Sequence, residues 1–151
     1  MTLCKHPLSD ETQLEDVIET FEVLEDWDDR YRYIIELGRK LRPLDESDRN
    51  EGNKVRGCTS QVWLVARPLP DGRLRFDGDS DAHIVKGLVA IMLLIFSGRT
   101  PDEILATDAR GVLARLGLRE HLSPMRANGL FSMLERIEDM AREAREAAPA
   151  S

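Results

Sequence analysis

The stretch QVWLVARPLPDGRLRFDG, residues 61–78, has the pattern of a β-hairpin and decides the fold class. Residues 61–67 form an apolar run with β-branched and aromatic side chains, which predicts a strand. Because its apolar side chains alternate onto both faces, we expect this strand to be central in a sheet. Prolines and an Asp-Gly pair in residues 68–72 predict a reversal, and 73–78 alternate as a half-buried strand does. Residues 53–57, NKVRG, are a further candidate for a short strand.

Helical patterns come before this hairpin. Apolar residues recur with helical spacing over residues 14–24, which predicts an amphipathic helix. Asp26 is a suitable N-cap for a second helix, in which Gly38 is the weak point. The polar, turn-rich stretch at 42–54 is predicted to be a loop.

More helices are predicted after the hairpin. Asp79 or Ser80 is a candidate cap for a nearly all-apolar helix over residues 82–97, in which His83 and Lys86 mark an edge that reaches solvent. A capping-box pattern begins at Thr100, and Ser-Pro at 123–124 opens the last helix. Helices, a short sheet and helices again indicate an α+β domain.

Length and composition bound the function. The 151 residues suit a single domain, which we place at 10–146, with a flexible N-terminal tail at 1–9 and a C-terminal tail at 147–151. A net charge of −7 argues against nucleic acid as a main partner, because phosphate binding needs a basic face. The longest apolar run, 88–96, is too short to span a bilayer. No signal peptide is visible, so we expect a cytoplasmic protein without a membrane partner.

Two cysteines, Cys4 and Cys58, are too few for a structural zinc site and are not expected to form a disulfide in a reducing compartment. Cys4 and His6 are an isolated pair of possible metal ligands in the predicted tail, and the other histidines are scattered along the sequence. We therefore expect neither a metal nor a cofactor.

Cys58 is the candidate functional residue. It lies in a polar, glycine-containing stretch, whereas inert core cysteines usually lie within apolar runs. Gly57 would allow a turn that presents the side chain, and Arg56 is a cation that would favour the thiolate. From the residues alone, a reactive and an inert cysteine are about equally supported. A cysteine hydrolase would need a histidine partner, and neither His83 nor His121 is marked as one.

Asp81 and Arg126 have ordinary structural interpretations when each is taken alone. An aspartate in the first turn of a helix is favoured by the helix dipole, so Asp81 needs no functional explanation. Arg126 fits an exposed helical position equally well.

Four segments together resemble the SufE family of sulfur acceptors for cysteine desulfurases. They are YIIELGRKL (33–41), VRGCTSQVWLVAR (55–67), FDGDSDAHIVKGLVAIML (76–93) and LSPMRANGLFSM (122–133). The resemblance covers residues 12–145 in order, and its glycine-cysteine loop and GDSDA segment make it specific. It implies a small curved antiparallel sheet packed by helices, similar to the IscU-type scaffold.

The resemblance also implies a function. Cys58 would accept persulfide sulfur from a pyridoxal-phosphate-dependent cysteine desulfurase of the SufS/CsdA type, stimulate that enzyme and deliver the sulfur to an iron–sulfur scaffold complex. Asp81 would influence the cysteine loop or docking, and Arg126 would lie near the partner surface or the thiolate. In the family the loop is thought to tuck its thiol into an apolar pocket and to swing out in the complex, a movement with which Gly57 is compatible.

Three candidate functions are to be tested. The first is a persulfide carrier, the second a regulator that docks on a desulfurase without carrying sulfur, and the third a cysteine hydrolase. One cysteine in the predicted domain is too few for assembling a cluster on this chain. The sequence leaves both a monomer and a homodimer open.

Overall fold

A computed structural model describes residues 6–147 of the chain. This part forms an α+β fold, in which one antiparallel hairpin is surrounded by helices, as the sequence predicts. The elements are α1 (Leu14–Val23), α2 (Trp27–Arg39), β1 (Val62–Pro68), β2 (Leu74–Ser80), α3 (His83–Phe96), α4 (Pro101–Ala106), α5 (Ala109–Arg115), α6 (Leu118–His121) and α7 (Pro124–Ala147). No helix within 6–147 is both long enough and apolar enough to cross a membrane.

The hairpin pairs β1 with β2 from Val62↔Ser80 to Pro68↔Leu74. On its other edge β1 has only a single bridge, between Trp63 and Lys54. The prediction that β1 is a central strand is therefore wrong, and residues 53–57 do not form a strand. The apolar side chains on both faces of β1 are covered by helices and a connecting segment instead of by further strands.

Helix α3 is buried on nearly all sides, as its apolar sequence predicts. Its exposed edge does lie at His83, and Lys86 is half-buried. The predicted caps are wrong: the N-cap is Ala82, which makes no side-chain capping bond, and Asp79 and Ser80 belong to β2. By contrast, the predicted caps Asp26 and Thr100 each accept a bond from the first turn of their helices.

Helices α2 and α3 cross where Gly38 meets Gly87. A Cβ atom on Gly87 would lie 2.1 Å from the Ile34 carbonyl oxygen, and one on Gly38 would lie 2.7 Å from the Gly87 nitrogen. Neither backbone can give way without moving its helix. Gly38, a weak point of α2 by helix propensity, is thus what allows the two helices to pack this closely.

The N-terminal boundary differs from the prediction. Residues 6–9 do not form a loose tail, because Leu8 is fully buried and bridges to Leu41. The backbone of this segment also pairs with 40–42 through the bonds Ser9 N–H to Lys40 O and Arg42 N–H to Pro7 O. Cys4 and the rest of 1–5 lie outside the described residues, as do 148–151.

The segment 42–54 is fastened to the hairpin by ion pairs. Arg67 on β1 lies 2.7 Å from Asp48, and Arg49 reaches the Asp79 carboxylate of β2 through two nitrogens. Burial alone would raise the pKa of Asp79, but the hydrogen bonds from Arg49 and the Ser80 N–H, together with the charge of Lys86, outweigh it and hold that pKa below its ordinary value. The ion pairs hold this polar loop in place.

The glycine crossing gives a stability prediction. We expect Gly87→Ala to lower the free energy of unfolding by about 2–3 kcal/mol, because its Cβ overlaps backbone atoms of α2. Urea unfolding monitored by circular dichroism measures this. The control is Gly52→Ala, whose Cβ would meet only the Asn50 side-chain oxygen at 3.3 Å. Equal stability of the two variants would contradict the proposed role of the crossing.

Candidate functional site

Cys58 lies in a short connection, residues 56–60, which we call the thiol loop. The loop is bounded upstream by a bond from the Val55 N–H to the Val62 carbonyl (2.8 Å). Gly57 has φ +87°, a left-handed conformation that a residue with a side chain rarely adopts. This turn points the half-buried Cys58 side chain toward α7, where Sγ lies 3.5 Å from the Gly129 carbonyl oxygen.

The Cys58 thiol opens into a cleft of about 430 Å³ between the thiol loop, α3 and α7, which we call the apolar cleft. Its lining is Cys58, Thr59, Ser60, Val85, Leu88, Ser123, Met125, Arg126, Gly129 and Met133. Three of these side chains, on α3 and α7, are buried and apolar. Met125 at the entrance is 61% exposed, which is unusual for a large apolar side chain. The thiol therefore faces an apolar space that is open to solvent at one side.

The environment of Cys58 favours its neutral form. Burial raises the pKa of the Cys58 thiol above its ordinary value. Arg56 does not act as the expected neighbouring cation: its guanidinium is exposed, lies 3.4 Å from Glu51 and does not line the apolar cleft. The resting thiol is thus protonated at neutral pH and is a poor nucleophile.

Asp81 closes the downstream end of the thiol loop. Its carboxylate accepts bonds from the Gln61 backbone N–H (3.0 Å) and the Gln61 side-chain amide (3.3 Å). Its own N–H donates to the Gln61 carbonyl at 3.2 Å. Asp81 therefore fixes the residue at which the loop enters β1, and it does not contact the thiol.

Arg126 shares the apolar cleft with Cys58. It lies in the first turn of α7, where its backbone N–H donates to the Ser123 hydroxyl at 3.3 Å. Its side chain is exposed, and no carboxylate within residues 6–147 lies within ion-pair distance of its guanidinium. The structure thus brings Arg126 and Cys58 together, whereas Arg56 and Asp81 act at the two ends of the loop.

The histidines do not form a catalytic pair with Cys58. His83 is exposed at the start of α3, and the His121 ring stacks on Trp27 at 3.9 Å with Nδ1 2.9 Å from the Gly117 carbonyl. Neither histidine lines the apolar cleft. In the described part of the chain, no cluster of three or more potential metal ligands occurs.

Sequence reasoning missed several residues of the site. Val85 and Leu88 were assigned only to a buried helix, and Gln61 only to a strand. Gly129 lies in the quoted segment 122–133, but nothing in that segment says that its carbonyl oxygen meets a thiol. These contacts join residues far apart in the chain, and single-sequence periodicity carries no signal for them.

The chain resembles known proteins over most of its length. A family model for SufE, described as an Fe-S metabolism associated domain, matches residues 15–141. An uncharacterized SufE-like protein of Rhizobium meliloti is 52% identical over 133 residues, which are 86% of this chain and 95% of the relative. One from Rhizobium etli is 51% identical over 132 residues, 85% and 89% of the two chains. The solution structure of a hypothetical protein from Thermus thermophilus has a TM-score of 0.71 at 24% identity, covering 89% of this chain and 96% of its own, and shares the fold.

The protonated thiol gives a prediction for pH dependence. In a Cys4→Ser background, the rate of Cys58 alkylation by iodoacetamide should rise with pH through a midpoint above that of the same chain unfolded in urea. The sign follows from linkage: the folded state keeps its proton to higher pH, so the sheltered arrangement is most stable below the pKa of the unfolded thiol and is lost as pH rises through the folded pKa. Coinciding midpoints would contradict a desolvated resting thiol.

Proposed function

The chain belongs to the SufE family, and we propose that it accepts persulfide sulfur on Cys58 from a pyridoxal-phosphate-dependent cysteine desulfurase. Family membership gives the coarse role, sulfur transfer in iron–sulfur metabolism. The proposal adds that the chain stimulates the desulfurase and passes the sulfur to an iron–sulfur scaffold complex in the cytoplasm. The observation that supports this proposal is the position of Cys58, which follows a turn at Gly57 and lines an apolar cleft that opens to solvent.

The proposed chemistry is a thiol–disulfide type of exchange. The Cys58 thiolate attacks the outer sulfur of the desulfurase persulfide, and a new S–S bond forms as the persulfide S–S bond breaks. The donor cysteine leaves as a thiolate, while the outer sulfur moves to Cys58 with its proton. Charge and electrons balance, so the exchange consumes no oxidant or reductant.

The thiol loop must leave its resting position for this exchange. In this position Cys58 is half-buried, and burial raises the pKa of its thiol, so that it is protonated at neutral pH. Gly57 supplies a flexible point, and the bonds of Asp81 to Gln61 limit the movement to the residues before β1. We propose that docking of the desulfurase releases the loop.

Arg126 and Arg56 are the proposed docking cations. Both guanidinium groups are exposed, one beside the apolar cleft and the other on the loop itself. In the released loop, Arg126 is also the charged group of the cleft lining that could favour the Cys58 thiolate.

A regulator that docks without carrying sulfur is the second candidate. The observation that favours it is the half-buried thiol, whose pKa is raised by burial and which is therefore a poor nucleophile in the resting position. A cysteine hydrolase has less support, because neither His83 nor His121 lines the cleft.

Mass spectrometry separates these functions. The protein is mixed with a SufS/CsdA-type desulfurase and L-cysteine, and the intact mass is measured under non-reducing conditions. A carrier should gain one or more sulfur atoms, about 32 Da each, on Cys58, and Cys58→Ser should gain none there and lose most stimulation of the desulfurase. Asp81→Asn and Arg126→Ala should still gain sulfur, but more slowly.

The controls distinguish the alternatives. Cys4→Ser should gain sulfur like the unaltered chain, which assigns the added mass to Cys58. Full stimulation by Cys58→Ser would support the regulator and overturn the carrier. Hydrolysis of an amide or ester by the protein alone would support the hydrolase.

Accessibility of Cys58 gives a further prediction. In the Cys4→Ser background, alkylation of Cys58 at neutral pH should be slow in the free protein and at least about tenfold faster in complex with the desulfurase, because a protonated, half-buried thiol reacts poorly. The desulfurase for this measurement carries a serine at its persulfide-forming cysteine, so that no sulfur transfer competes. Equal rates in both states would contradict a release of the loop by docking.

A further inference from the structure

The thiol loop rests on α7 at two places. Cys58 faces Gly129, where a Cβ atom built on the glycine would lie 3.5 Å from Sγ. One turn further along α7, Ser132 lies under Gly57: a Cβ atom on Gly57 would be 2.6 Å from the Ser132 hydroxyl oxygen and 3.4 Å from its Cβ. The loop backbone therefore sits closer to α7 at Ser132 than a loop residue with a side chain could.

The Ser132 contact also separates two concavities. On one side is the apolar cleft with Cys58. On the other side is a polar groove of about 510 Å³, lined by Glu51, Gly52, Lys54, Val55, Arg56, Ser132, Glu135, Arg136 and Asp139. The thiol loop contributes Cys58 to the apolar cleft and Arg56 to the polar groove, so it lies against α7 between the two.

We infer that Ser132 is a positioning residue for sulfur acceptance: its small side chain seats Gly57 on α7, and this contact holds the Cys58 thiol against the Gly129 carbonyl until a partner displaces the loop. The inference rests on the proposed function and adds a residue to it. Ser132 does not line the apolar cleft that holds Cys58, and its contact with the thiol loop is at Gly57.

The resting position of Cys58 against the Gly129 carbonyl favours the protonated thiol over the thiolate. The Gly129 carbonyl oxygen can accept a hydrogen bond from S–H, but it has no proton to offer a thiolate. The groups facing the thiol from α3 are Val85 and Leu88, and the one charged residue of the cleft lining is Arg126 on α7. Ionisation, with the proton passing to solvent, therefore removes the bond that holds Cys58, so ionisation and departure of the loop favour each other.

Ser132→Leu tests the contact between Ser132 and Gly57, since leucine keeps α7 helical but fills the space under Gly57. In the Cys4→Ser background, without any desulfurase, we expect iodoacetamide to alkylate Cys58 about tenfold faster at neutral pH, with the midpoint of the pH profile shifted toward that of an unfolded thiol. Glu146→Leu, which places the same side chain at an exposed position of α7, is the matched control and should behave like the unaltered chain. Thermal unfolding of each variant confirms that the fold is intact.

Substitutions at Gly57, the other residue of the contact, test the inference even if Ser132→Leu fails to fold. Gly57→Ala should also speed alkylation, and adding Ser132→Ala should reverse part of that increase, because removal of the hydroxyl leaves a nearest contact of 3.4 Å. An unchanged rate and pH midpoint in Ser132→Leu, or no reversal in the double variant, would overturn the inference. Alkylation needs no desulfurase, so its outcome is independent of whether Cys58 gains sulfur in the mass measurement.

Discussion

The close approach of α3 to its neighbours is the constraint on which the rest of the structure depends. Gly87 lets the backbone of α2 lie against α3, and Gly78 on β2 lets the hairpin approach from another side: a Cβ atom there would lie 2.9 Å from side-chain carbons of Leu64 and Val89. Close packing on several faces removes the nearly all-apolar helix α3 from water. Burial of apolar surface is the largest favourable contribution to folding. Larger residues at these glycines would separate the layers and open the core.

The same burial produces the chemistry of the site. The first turns of α3 supply Val85 and Leu88 to the apolar cleft, so the element that organises the core also removes solvent from the thiol. A desolvated thiol is protected from ionisation and reaction, which would suit the proposed carrier when it is away from its donor. The protection is local, because it depends on the position of a five-residue loop.

The sequence predicts local features well and distant contacts poorly. The hairpin, the caps at Asp26 and Thr100 and the extent of α3 depend on periodicity and short-range hydrogen bonds. The family resemblance adds the proposed role of Cys58. By contrast, the packing of Leu8 beside Leu41, the direction of Arg56 toward Glu51, and the seat at Ser132 each depend on residues that approach only in the folded chain. Side-chain direction in a loop has no repeating pattern that could reveal it.

The two boundaries of the thiol loop set a working radius for the sulfur atom. Val55 and Gln61 are anchored by hydrogen bonds, and Cys58 lies three residues from each. A fully extended chain of three residues spans roughly 10 Å, so the Cα atom of Cys58 stays within about that distance of both anchors as long as they hold. For the sulfur transfer proposed above, the reactive atom of the donor would have to come close to this limited volume. Under that proposal, the short tether would require a donor whose sulfur is accessible at its surface, and a deeply recessed sulfur would be out of range.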